Sequence, residues 1–305
     1  MGTNINRALV FGKSGQVAWE LQRTAPVNWK VERLGRAEIN LLDPAQVADA
    51  IGAYSPDLVI NAAAYTAVDK AESDREAAFA LNQQAVANIA DAVALQERTA
   101  LVQVSTDFVF DGKSSRPYSC SDETSPLSAY GESKLAGERE VIERQLPRSI
   151  VLRTSWVYSS HGNNFVKTML QLMADPARDR LNVVYDQVGT PTWAYSLAQA
   201  IWRAGEQLME SEVVNSGQVF HWTDAGVASW YDFAVAIQEL ALARGLLERK
   251  IPIKPIPHTD YPSPGARPAY SVLDKAPFER AFGVTPEYWR SQLESMLHEL
   301  AQQEN

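Results

Sequence analysis

Apolar-rich runs recur through the first half of the chain, at residues 8–11, 31–34, 57–60, 101–104 and 150–152. They are short and dominated by Val, Ile and Leu, as in strands buried on both faces of a parallel sheet. Helical patterns fall between them, at 17–23, 44–53, 77–95 and 133–143. Strand and helix in alternation predict an α/β fold, a doubly wound parallel sheet with right-handed crossovers and helices on both faces. After Trp156 the rhythm breaks. Residues 251–268 hold six prolines in eighteen positions, too many for a helix or a central strand. That stretch reads as an ordered arm over a site or as a flexible linker. An amphipathic helical segment over 287–297 follows.

Ligands of open parallel sheets bind beyond the carboxyl ends of the strands. Four polar clusters fall at such ends: Gly12, residues 61–66, residues 105–107 and residues 154–156. The first opens Gly12-x-x-Gly15-x-x-Ala18. Gly12 permits a tight turn, Gly15 lets the backbone approach a pyrophosphate, and the small Ala18 lets helix and strand pack closely. The helix N-terminus then offers free N–H groups to phosphate. The plainer alternative is an ordinary strand-to-helix turn. The loop's place in the first strand–helix unit favours the Rossmann-like, dinucleotide-binding reading. Arg36 lies past the second run, where the adenosine ribose sits in such folds, and no acid ends that strand. A basic residue there suits a 2′-phosphate, although a solvated Arg would look the same. Asp43 would sit near the adenine.

Tyr130 and Lys134 stand four residues apart, on one face of a helix. An ammonium one turn from a phenol favours the phenolate, which predicts a lowered Tyr130 pKa and general acid–base work on a carbonyl or alcohol. Tyr and Lys at this spacing are also common surface residues, so the pair gains meaning from the other clusters. Thr106 either hydrogen-bonds a substrate oxygen beside the phenol or caps a strand end. Asp107 either binds a sugar hydroxyl or holds its loop. Asp69 anchors the next helix start better than it reaches substrate. Arg267, between prolines, offers a fork for phosphate or is a surface Arg. Trp156 is core or a stacking platform for a sugar.

Composition narrows the classes. The net charge is −9 and no Lys/Arg run stands out, which argues against nucleic acid. No apolar run reaches the ~20 residues that span a bilayer. The N-terminal segment lacks the apolar core of a signal peptide. A single cysteine, Cys120, fits a reducing cytoplasm. Four scattered His show no metal-ligand spacing, and Gly-x-Ser-x-Gly is absent. No metal is therefore expected.

The assembled stretches resemble the extended branch of the short-chain dehydrogenase/reductase superfamily, and within it the dTDP-4-dehydrorhamnose reductase family. They include Phe-Gly-Lys-Ser-Gly-Gln-Val at 11–17, Asn-Ala-Ala-Ala-Tyr-Thr-Ala-Val-Asp at 61–69 and Ser-Thr-Asp-Phe-Val-Phe-Asp-Gly at 105–112. Ser-Ala-Tyr-Gly-Glu-Ser-Lys at 128–134, Gly-Asn-Asn-Phe at 162–165 and Tyr-Pro-Ser-Pro-Gly-Ala-Arg-Pro at 261–268 complete the set. The resemblance implies Thr106, Tyr130 and Lys134 as a catalytic triad. It implies a coenzyme, NADPH or NADH, held by Gly12, Ser14, Gly15, Gln16, Val17, Arg36, Leu42, Asp43, Ala63, Ala64, Tyr65 and Thr66 together with Tyr130 and Lys134. It implies a dTDP-sugar substrate met by Thr106, Asp107, Phe108, Trp156, Asn163, Asn164 and Arg267.

The family pattern often has Tyr where Phe108 stands. Some members form dimers bridged by Mg2+ on glutamates, but Thr192-Trp-Ala-Tyr-Ser196 carries no acid. A monomer or weak homodimer is expected. The implied division is a Rossmann-like domain over 1–155, to which part of 183–225 returns, and a smaller α/β substrate-binding domain over 156–182 and 226–305. Two rival readings remain. One is an epimerase or dehydratase on the same fold, for which Asp107 followed by Phe108 leaves the acid/base pair incomplete. The other is a non-catalytic NADP-binding subunit, which the presence of all three triad residues disfavours.

Overall fold

The computed structural model describes residues 5–210, 217–261 and 263–303; Pro262 of the proline-rich arm and the last two residues lie outside them. Six parallel strands form the central sheet: β1 (Asn6–Phe11), β2 (Trp29–Leu34), β3 (Leu58–Asn61), β4 (Ala100–Thr106), β5 (Ser149–Thr154) and a sixth, Gln218–His221. The order across the sheet is the sixth strand, β5, β4, β3, β1, β2. Winding reverses between β1 and β3, so a crevice opens at their carboxyl ends.

Strand periodicity explains the continuous apolar runs. Ala8 and Val10 join Leu58, Ile60, Val102 and Leu152 in one core with Leu21, Leu197 and Ile201 of the helices Gln16–Arg23 and Ala194–Glu210. The alternate positions Leu9, Phe11, Val59, Leu101 and Val151 join Ile51, Ile89 and Val141 in a second core on the opposite face. These come from the helices Pro44–Tyr54, Ala85–Ala94 and Ala129–Ile142. Both faces are covered, so both sets of alternating positions are mainly apolar.

A third core gathers Tyr158, Val166, Met173, Phe233, Ile237, Trp289, Leu293 and Met296. Its helices are Phe165–Ala174, Trp230–Ala243 and Trp289–Gln303, the last running six residues beyond the predicted segment. The proline-rich arm contains a short strand, Ile253–Ile256, paired in parallel with Leu181–Val184. Pro255 fits because this sheet has only two strands and no central position.

The predicted helix over 77–95 is interrupted. A π-helical turn, Ala80–Gln84, lies between Arg75–Phe79 and Ala85–Ala94. Asn82, in that turn, is buried and accepts a hydrogen bond from Tyr65 N (2.8 Å) while its amide donates to Tyr65 O (3.1 Å) and Ser133 Oγ (2.9 Å). It thereby ties the segment after β3 to the helix Ala129–Ile142. That helix starts at Ser128, whose hydroxyl accepts from Gly131 N at 3.2 Å. It runs so close to the π turn that a Cβ on Gly137 would lie 2.0 Å from the Asn82 carbonyl oxygen. Gly137→Ala should therefore destabilise the fold by about 2–3 kcal/mol, the cost of overpacking against a backbone that cannot retreat. Urea denaturation measures this, and an unchanged midpoint would mean that the two helices separate freely.

Candidate active site

A cleft of about 430 Å³ lies over the carboxyl ends of β1, β3, β4 and β5. Ser14, Gly15, Gln16 and Val17 form one wall, with Ala63, Ala64 and Thr66 beside them. Thr106, Asp107, Phe108, Tyr130 and Lys134 form the floor, and Trp156 and Asn163 close the far side. Residues from six separate stretches of the chain thus meet in one cavity. Gly12 lies beneath the loop at φ +110°, where a Cβ would be 2.9 Å from the Ala62 carbonyl carbon and the Ala63 nitrogen. Only glycine fits, which brings the loops after β1 and β3 into contact. Gly15 is the N-cap of Gln16–Arg23 and supplies no side-chain cap. The first-turn N–H groups stay available at the cleft, an arrangement that fits the pyrophosphate of a dinucleotide.

Charge at the floor is governed by burial. Tyr130 is pushed up to about 12, chiefly by desolvation; the Thr106 hydroxyl partly opposes this and the Asp107 charge reinforces it. The expected lowering by Lys134 is not what the structure shows. The Lys134 ammonium donates to the Val104 carbonyl oxygen at 2.7 Å, and burial brings its own pKa down to about 8 against the opposing pull of Glu138. Loss of solvent costs the phenolate more than the ammonium returns. Asp107 is raised to about 6 by burial. Its Oδ1 accepts from Thr106 Oγ1 at 3.0 Å. Its Oδ2 has no hydrogen-bond partner among the described residues, and the same holds for Thr154 Oγ1. Ser271, beside the carboxylate, opposes the rise, as does the Thr106 hydroxyl. Two unpartnered polar atoms therefore sit in buried side chains at the cleft. Phe108 meets Tyr130 edge-on, ring centroids 5.3 Å apart.

Other predicted residues lie outside the cleft lining. Asp43 caps the helix Pro44–Tyr54, accepting from Ala45 N and Gln46 N. Leu42 beside it is exposed. Arg36 is exposed and makes no hydrogen bond or ion pair with any described residue. Tyr65 donates its hydroxyl to Asp74 at 3.1 Å. Asn164 caps Phe165–Ala174 and reaches back to Gln16 Oε1 at 2.9 Å, bracing the glycine loop from behind. Arg267, expected as a phosphate fork or a surface Arg, already has a carboxylate partner. It pairs with both Asp69 oxygens, at 3.1 and 3.0 Å, while Gly265 N donates to Asp69 Oδ1. Asp69 thus anchors the proline-rich arm, a contact between positions 198 residues apart.

Arg267 lines a second cavity of about 860 Å³, with Arg178, Arg180, Phe165 and Trp230. Trp230 stacks on Trp156 at 3.5 Å, so this ring pair stands between the two cavities. Sequence reasoning missed Trp230, Asn82 and Glu138. Only Glu138 left a signal, since it continues the four-residue spacing of Tyr130 and Lys134. Among the described residues no three His, Cys, Asp or Glu side chains form a metal-ligating group. No described helix is long and apolar enough to cross a membrane.

The family described as the RmlD substrate binding domain matches residues 6–302. The dTDP-4-dehydrorhamnose reductase of Aggregatibacter actinomycetemcomitans is 39% identical, over 95% of this chain and 98% of its own. That of Escherichia coli strain K12 is 38% identical, over 96% and 97%. Among solved structures, the dTDP-4-dehydrorhamnose reductase of Clostridium acetobutylicum superposes with a TM-score of 0.86 at 35% identity, covering 96% of this chain and 99% of that one. The Bacillus anthracis enzyme in complex with NADP gives 0.87 at 29% identity, with the same coverage. A UDP-glucose 4-epimerase from Brucella ovis, 17% identical, shares the fold with a TM-score of 0.80. Matched along nearly its whole length in sequence and in shape, the chain belongs to the dTDP-4-dehydrorhamnose reductase family of extended short-chain dehydrogenases/reductases.

Proposed function

We propose that this protein reduces the 4-keto group of dTDP-4-dehydro-L-rhamnose, giving dTDP-L-rhamnose, with NADPH or NADH as reductant. The observation that carries this is the meeting of Thr106, Tyr130 and Lys134 with the Gly12–Val17 loop in one cleft. A bound nicotinamide coenzyme supplies the hydride. Burial keeps Tyr130 a neutral phenol near pH 7. It is therefore in the proton-donor form when negative charge develops on the C4 oxygen. The Thr106 hydroxyl lies beside the phenol and shares that oxygen. The Lys134 ammonium, held at Val104, favours the phenolate left after transfer. Asp107, its Oδ1 already bonded to Thr106, accepts from a sugar hydroxyl through Oδ2.

The larger cavity suits the nucleotide diphosphate. Arg178, Arg180 and Arg267 line it, and the Trp156–Trp230 pair offers a flat surface between it and the cleft. In this reading residues 1–155, with part of 183–225, hold the coenzyme, while 156–182 and 226–305 hold the nucleotide sugar. Asn163 and Asn164 then join the two at the glycine loop. The protein works in the cytoplasm as a monomer or weak homodimer without a bridging metal.

Tyr130→Phe should lower kcat by about 10²- to 10⁴-fold, the usual worth of general acid catalysis, and leave the fold intact. Steady-state assay of NADPH oxidation with the keto sugar reads this; a loss smaller than tenfold would remove Tyr130 from the role. Arg36→Ala should weaken NADPH by roughly 1.5–3 kcal/mol and spare NADH, if the free guanidinium meets a 2′-phosphate. Equal losses in a fluorescence titration of both coenzymes would count against it. The pH profile supplies a third test. Lys134 must be charged, its pKa is lowered to about 8, and the charge is lost as pH rises through that value. The ratio kcat/KM for the coenzyme reports the free enzyme. It should fall above pH of about 8, and a profile flat to pH of about 10 would contradict the assignment.

A further inference from the structure

Beneath the cleft floor lies a charged group that the reaction does not touch. Glu138 and His221 are fully buried and Arg153 nearly so. Glu138 Oε1 accepts from Ser105 Oγ at 2.5 Å and from Arg153 Nε at 2.8 Å, and its Oε2 accepts from Arg153 Nη2 at 2.6 Å. Ser105 and Arg153 face each other across β4 and β5, and the next pair in the register is Thr106 and Thr154, both at the cleft. One carboxylate on the helix Ala129–Ile142 is therefore bonded to the last turn of two strands, each one residue before a cleft residue. It stands one helical turn beyond Lys134, as Lys134 stands beyond Tyr130. Arg153 is enclosed further by the Phe110 ring, 5.1 Å from its guanidinium carbon, and by His221 Nε2 at 3.5 Å.

Stability alone is a poor account of such a pair. Desolvating two charges offsets much of their attraction, and well-packed apolar replacements are often equally stable. We propose that Glu138 is a positioning residue for the reduction: its bonds to Ser105 and Arg153 set the register of Tyr130 and Lys134 against Thr106, and its carboxylate is the counter-charge to the Lys134 ammonium. This rests on the reductase reading.

The ionisable groups around Lys134 are Tyr130 and Glu138 on its own helix and Asp107 after β4, with Arg153 of β5 paired to Glu138. His221 stands behind Arg153, held neutral by burial and then by that guanidinium. On the helices packed against the other side, Arg75 pairs with Glu132, Asp74 with Lys70 and Asp91 with Arg144, while Glu72 accepts from Ala129 N. Glu138 pulls the Lys134 pKa upwards against the larger lowering by burial.

The test compares the full-length protein with Glu138→Asp and with the double variant Glu138→Gln/Arg153→Met, which leaves no orphaned charge. Melting temperature, kcat with the keto sugar, and the pH profile of kcat/KM for NADPH are read for each. The double variant should remain folded, lose about 10- to 100-fold in kcat through misplacement of the phenol, and move its alkaline limb towards acid. Glu138→Asp keeps the charge and shortens the reach, so its alkaline limb should stay in place while kcat falls by about tenfold. Parent-like kcat and an unmoved limb in the double variant would reduce the pair to structural glue and overturn the proposal. If the double variant does not fold, parent-like kcat in Glu138→Asp overturns it alone. If the unaltered protein reduces no keto sugar, the functional reading fails instead, before any variant is compared.

Discussion

The site depends on one contact, the close approach of the helix Ala129–Ile142 to the carboxyl ends of β4 and β5. Gly137 allows it against the π turn, and Asn82 pins the same helix to the segment after β3. Lys134 reaches the Val104 carbonyl because of it, and Tyr130 comes to lie over Thr106. If the helix stood an ångström further out, the phenol, the hydroxyl and the ammonium would no longer share one small volume. Effective molarity of this kind falls steeply with misplacement.

The same burial decides the protonation states. Desolvation raises Tyr130 and Asp107 and lowers Lys134, so every shift moves towards the neutral form. A phenol that stays protonated suits a donor to a developing alkoxide better than one already ionised. In the reductase reading Lys134 contributes most once the proton has left, when a buried phenolate needs a cation nearby.

Much of this was legible in the chain. Two-sided burial leaves strands as short apolar runs, and β1, β3, β4 and β5 announced themselves that way. Polar clusters at their ends then predicted where a cleft would form, because chain direction alone places those ends on one edge. What stayed hidden depends on partners far away in sequence. The pairing of Arg267 with Asp69 leaves no trace in the sequence, because the two stand 198 residues apart and the arm's path decides their meeting. The lowering of Tyr130 expected from the four-residue spacing failed because spacing carries no information about solvent. The π turn at Ala80–Gln84 has no marker in Ala-Leu-Asn-Gln-Gln, and its contact with Gly137 joins positions far apart in the chain. Trp230, stacked on Trp156, belongs to a helix whose apolar pattern reads simply as core.

In the reductase reading hydride goes to C4 and the proton comes from a protein phenol. Deuterium tracing tests it most directly. The protein is incubated with dTDP-4-dehydro-L-rhamnose and NADPH carrying deuterium at the transferable position of the nicotinamide, in ordinary water, and the product is read by NMR and mass spectrometry. The expected product is a deoxysugar nucleotide with a single deuterium, bonded to C4, and none at C3 or C5. Deuterium at another carbon, or a product formed with none, would contradict it and place the chemistry with the epimerases and dehydratases that share this fold.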